Sequence, residues 1–188
     1  MGKGIYPLAS KNSYLNTDFQ NSPATSMFNV GKQFIPYIKN SILSSSNTQI
    51  RTGALTITFP FGFIKCMLSF KVHVHKYGNN GGFAEYLIDG YCYDDERWLF
   101  THALCITNNS FPNKNVPVSF CKNSDGKAAV SIGSIDTEWN YCQVIVKDIL
   151  SGWKIPSEDI YNDTTIHFET SDLGNVLSVV ENPWIGNF

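Results

Sequence analysis

Leu68-Ser69-Phe70-Lys71-Val72-His73-Val74-His75 is the stretch from which the fold is read. Successive side chains of an extended chain point to opposite faces, so Leu68, Phe70, Val72 and Val74 share one side and Ser69, Lys71, His73 and His75 share the other. A helix would scatter both sets around its axis. The stretch therefore predicts a half-buried strand. It closes at Tyr77-Gly78-Asn79-Asn80-Gly81-Gly82, a loop of residues that tolerate positive φ. Ala84, Tyr86 and Ile88, with Cys92 beyond, resume the alternation and pair with the first strand as a hairpin.

The same rhythm extends in both directions. Leu55, Ile57 and Phe59 share a face before Pro60-Phe61-Gly62 breaks the run. Residues 98–107 are apolar on both faces, which predicts an interior strand. Val116, Val118 and Phe120 alternate, Asn123-Ser124-Asp125-Gly126 supplies a turn, and Ala128, Val130 and Ile132 alternate back. Cys142, Val144 and Val146 form the core face of a further strand, and residues 165–169 and 176–180 complete the set. The pattern predicts eight or nine strands with no amphipathic helix of useful length. This defines an all-β chain, an antiparallel β-sandwich of jelly-roll-like type.

Residues 1–52 differ in kind. They are dense in Asn and Ser, with scattered apolar anchors that include Phe28, Phe34 and Tyr37 and no sustained period. They are read as an extended N-terminal arm for anchoring or oligomerisation, since its few aromatics need a neighbouring copy or a docking site to cover them. Residues 53–188 form the sandwich domain.

Charged residues make up 16% of the 188, well below the roughly 25% of ordinary soluble domains, while aromatics reach 14%. Such a surface suits partner subunits or sugars. Net charge is -2, and Arg51 and Arg97 are the only arginines, so binding of nucleic acid by phosphate neutralisation is not expected. No stretch approaches the roughly 18 apolar residues of a membrane span, and no insertion is expected. The five cysteines form no CxxC pair and sit in apolar runs, as reduced core cysteines do in a chain folded in a reducing cytoplasm.

Gly53-Ala54-Leu55-Thr56-Ile57-Thr58-Phe59-Pro60, then Asp89-Gly90-Tyr91-Cys92-Tyr93 followed by Trp98, then Val130-Ser131-Ile132-Gly133, then Trp139 to Asp148 come in this order. In that order they resemble the C-terminal domain of bacteriophage tail-fibre and receptor-binding proteins, over roughly residues 53–180. The resemblance implies a non-enzymatic virion adhesin. It would fold in the bacterial host's cytoplasm as a homotrimeric β-sandwich, joined to other virion proteins by its arm and bound to bacterial surface carbohydrate. It implies no catalytic residues and no cofactor. The alternative is a structural virion protein, such as a head fibre, decoration or tail-tip docking subunit, without receptor binding.

Candidate site residues follow from their chemistry. Tyr91 to Trp98 combines rings, three carboxylates and Arg97, the groups that stack on sugar faces and bond to sugar hydroxyls. Tyr91, Tyr93, Asp94, Asp95 and Arg97, with Asn79 and Asn80, are therefore the candidate receptor-binding residues. The plain alternative is a hairpin turn with Tyr91 and Trp98 in the core. Asp94, Asp95 and Glu96 are consecutive, and acids so placed do not flank a glycosidic bond as hydrolysis requires. Tyr141, Gln143 and Ile145, outward on their strand, are candidate interface residues together with Phe28, Phe34 and Tyr37. His73 and His75 share a strand face at a spacing that metal sites use, but Lys71 beside them repels a cation and two ligands are too few. No metal site is assigned.

Overall fold

The computed structural model describes residues 50–76, 82–107, 111–153 and 163–185. The arm anchors Phe28, Phe34 and Tyr37, and the loop residues Asn79 and Asn80, lie outside the described residues. Eleven strands are present among the described residues: β1 (Ile50–Thr52), β2 (Ala54–Thr58), β3 (Cys66–Lys76), β4 (Gly82–Tyr93), β5 (Arg97–Thr107), β6 (Val118–Lys122), β7 (Ala128–Ile132), β8 (Glu138–Asn140), β9 (Cys142–Trp153), β10 (Thr165–Glu169) and β11 (Asn175–Val180). The strands beyond the expected eight or nine include β1 and β8, three residues each and too short to show a period.

A five-stranded sheet, β10-β2-β7-β6-β11, packs on a four-stranded sheet, β5-β4-β3-β9, and β1 pairs with β8 as a small third ladder. All these pairings are antiparallel, so the chain is an antiparallel β-sandwich. Leu68, Phe70, Val72 and Val74 on β3, Tyr86 and Ile88 on β4, and Val144 and Val146 on β9 share one core with Leu55, Ile57, Val118, Phe120, Val130 and Ile132 of the other sheet. The hairpins β3–β4 and β6–β7 form as the alternation predicts. All five cysteines are free and buried.

One expectation is corrected. β5 is not an interior strand but the edge of the four-stranded sheet. Its second apolar row exists because that face is open: Phe100 is 76% and Leu104 43% exposed. The edge itself is partly closed by a bridge from Cys105 to Trp184 and a hydrogen bond from the Cys105 amide to the Pro183 carbonyl. The Asn-rich loop after β5 is not a plain surface loop. Its described part turns inward: Phe111 is fully buried, and the Asn113 amide donates to the Glu138 carbonyl at 2.9 Å. The Asn113 carbonyl accepts the Tyr86 hydroxyl at 2.8 Å. A buried phenol needs such an acceptor, and the loop's inward course supplies it.

Candidate functional site

The sandwich has two different ends. Ladder β3–β4 runs from Cys66–Cys92 to Lys76–Gly82, and ten steps of strand rise separate its ends by roughly 30 Å. At the Lys76 end the chain enters: β1 pairs with β8, and Lys76 Nζ donates to the Glu138 carbonyl at 3.5 Å. Ile50–Thr52, assigned by sequence to the arm, is thus paired into the folded unit.

At the other end three connections meet. They are residues 60–65 between β2 and β3, the turn 94–96 between β4 and β5, and the turn 123–127 between β6 and β7. Salt bridges tie them together: Lys65 Nζ to Asp94 at 2.7 Å, and Lys122 Nζ to Glu96 at 2.6 Å. Arg97 pairs with Asp95 within the turn. Glu96 takes a φ of 62°, as a three-residue hairpin loop ending in a left-handed residue requires.

The candidate receptor residues that are described lie together. Tyr91, Tyr93, Asp94, Asp95 and Arg97 are gathered at this end. Lys76 and Gly82, which flank Asn79 and Asn80, close the opposite end of the ladder. Trp98 enters the core and donates from its indole nitrogen to the Cys121 carbonyl at 3.1 Å, whereas Tyr91 stays half-buried outside it. Tyr91 and Tyr93 meet edge to face, ring centroids 5.6 Å apart. Lys65 Nζ lies 5.3 Å and the Arg97 guanidinium 5.7 Å from the Tyr93 ring centre. Asp95 is held below the usual carboxylate range, first by its hydrogen bond from Arg97, and Lys65 is raised by Asp94. Each acid of the turn is thus matched by a cation, and the groups left for a ligand are the two tyrosine rings and the outer edges of the paired charges. Lys65 and Lys122 escaped sequence reading because they lie far along the chain from the turn they brace.

Between the two ends, the outer face of the four-stranded sheet is open. Met67, Phe83, Phe100, Leu104, Tyr141 and Leu150 are large, exposed and apolar or aromatic, and all lie on or next to its strands. Gln143 is exposed and Ile145 half-buried in the same sheet, and no second sheet of the described residues covers them. Crossing this face, Lys147 Nζ pairs with Glu85 at 2.6 Å, and Lys71 Nζ pairs with Asp148 at 2.8 Å. His73 sits 3.8 Å from Glu85 and stacks on Phe83, ring centroids 5.8 Å apart. Burial, then Lys147, lowers its pKa, which favours the neutral ring. Among the described residues no three His, Cys, Asp or Glu side chains group as metal ligands.

On the other sheet a polar cleft of about 460 Å³ lies between Thr56, Thr58, Thr165 and His167, the turn 123–127 and residues 171–174. The Thr58 hydroxyl is buried with no partner among the described residues. Glu169 on the cleft's rim accepts the Thr170 amide at 3.0 Å and the Ser171 amide and hydroxyl at 3.1 and 2.9 Å. These bonds, the Ser171 amide's first, hold its carboxyl below the ordinary 4.5. A depressed carboxylate contributes stability above its unfolded value, and that contribution is lost as pH falls through its folded value. Thermal unfolding followed from about pH 6 to about pH 3 should therefore show a midpoint that falls below roughly pH 4.5, with a shallower fall in Glu169→Gln. An identical acid limb in the variant would show that Glu169 adds nothing.

Comparison with family models, with curated proteins and with solved structures finds no match for this chain.

Proposed function

We propose that this chain is a non-enzymatic virion protein of a bacteriophage, a fibre or spike module that attaches the particle to its host. The observation that carries the reading is the polarity of the sandwich. The polypeptide enters at the β1–β8 end, and the aromatic, charge-braced turn 94–96 stands roughly 30 Å away at the other. A module tethered at one end and presenting rings and fixed charges at the other suits an adhesin. The open apolar face between the ends is the subunit interface, where copies of the chain meet along the long axis. Three copies place three identical tips side by side, so weak contacts to a repeated surface glycan add as avidity. Asp94, Asp95 and Glu96 serve as braces, each tied to a cation, rather than as a catalytic pair.

The test is binding of the fluorescently labelled full-length chain to a panel of bacteria. Saturable binding should appear on susceptible strains and disappear after periodate oxidation of their surface glycans. Tyr93→Ala and Arg97→Ala at the tip should weaken it about tenfold or more, and Asp136→Ala near the entry end should leave it intact. Equal binding by all three variants would remove the tip from the account. Absence of binding to every strain, with the chain still built into the virion, would favour the structural virion subunit.

A further inference from the structure

We infer that Cys66 and Cys92 join in a cross-strand disulfide when the protein meets an oxidant, forming a covalent latch beneath the tip turn. They are direct partners in the β3–β4 ladder. Opposed residues of an antiparallel pair project to the same face with Cα atoms about 4.5 or 5.5 Å apart, and both separations lie inside the roughly 4.4–6.8 Å that a disulfide spans. Both side chains point into the core and both thiols are free. No other cysteine has this arrangement: Cys105 faces Tyr86, Cys121 faces Ala129 and Val176, and Cys142 faces Lys76.

Position decides how the bond forms. Both thiols are fully buried, and burial, then the neighbouring Cys92, pushes Cys66 up to about 12, so the closed fold reacts slowly. Cys66 is, however, the first residue of β3, and Cys92 is followed by the last residue of β4. Ladder ends open at little cost, and brief opening here exposes both sulfurs together. With hydrogen peroxide as oxidant, one thiolate attacks the O–O bond, giving a sulfenic acid and releasing hydroxide. The second thiolate attacks that sulfur, the S–S bond forms, and a second hydroxide leaves. With the two thiol protons the products are one disulfide and two waters, and the sulfurs have supplied two electrons. The bond would tie residues 60–65 to the turn 94–96, in whatever role the fold is used.

The full-length chain is treated with hydrogen peroxide under mildly destabilising conditions that let the ladder end open, then denatured, alkylated and digested for peptide mapping. The expected result is a mass lower by two hydrogens and a single cross-linked species joining the Cys66 and Cys92 peptides, with the other cysteines alkylated. The melting midpoint should rise by several degrees and return on reduction, because the cross-link restricts the unfolded chain. Cys92→Ser should abolish the shift, and if that variant fails to fold, the peptide map of the unmodified protein decides alone. Five alkylatable thiols after peroxide under mildly destabilising conditions would overturn the proposal. So would a bond between other cysteines, or a midpoint lowered by the Cys66–Cys92 bond.

Discussion

Trp139→Ala is expected to cost about 3–5 kcal/mol, the loss typical of a large buried aromatic, out of a total stability of roughly 5–15 kcal/mol. Trp139 is the largest of the fully buried side chains and does several things at once. Its indole nitrogen donates to the Gly53 carbonyl at 2.8 Å, fixing the β1–β2 junction against β8. Its ring packs near Phe168, centroids 6.3 Å apart, and lies 6.0 Å from Nζ of the buried Lys76. Burial already lowers the Lys76 pKa, and removing the ring takes away one of two aromatic faces, the other being Phe111, that compensate its charge. Truncation therefore adds a cavity, an orphaned carbonyl and a poorly compensated ammonium. Urea unfolding followed by far-UV circular dichroism measures the sum. Trp139→Phe keeps most of the volume and should cost about 1–3 kcal/mol, the scale of an unsatisfied buried acceptor. Equal losses in the two variants would show that ring volume contributes little.

Gly53→Ala should cost about 2–4 kcal/mol although it adds a single methyl group, because backbone strain and a clash act with the same sign. Gly53 has a φ of 134°, a region that residues with a Cβ rarely adopt, and an added Cβ would stand 2.7 Å from the Glu169 carbonyl oxygen. The atom it meets is backbone of β10, which pairs with β2 and cannot rotate aside. Glycine is therefore required where the chain turns from the small β1–β8 ladder into the five-stranded sheet. The same unfolding experiment checks it, and a loss under about 0.5 kcal/mol would mean that β10 yields. Gly53 and Trp139 share a hydrogen bond, so the double variant should lose less than the sum of the singles.

The strands were legible because alternation is a local signal. Leu68 to Val74 are buried at every second position, as read, and the β6–β7 hairpin follows from its Asn123–Gly126 turn. What alternation does not carry is which strands meet across long stretches of chain. β2 lies between β7 and β10, and β1 finds β8, pairings set by how the completed core fills rather than by any neighbouring turn residue. The misreading of residues 98–107 has the same root. An apolar row on both faces of a strand signals either two covered faces or one left open, and composition alone does not separate them. At the end that carries the turn 94–96, Tyr91 to Arg97 stood out by chemistry, but the pairing of its acids with Lys65 and Lys122 depends on the assembled fold. The cleft beside Thr58 draws on residues more than a hundred positions apart, such as Thr56 and Asp172, and has no sequence motif.

The proposed attachment role is tested most directly by adsorption competition, in which excess purified chain is mixed with cells of a strain to which it binds before a phage encoding this chain is added. The account predicts a dose-dependent fall in the adsorption rate, lost in the Tyr93→Ala chain. Undiminished adsorption in the presence of saturating, folded protein would contradict it.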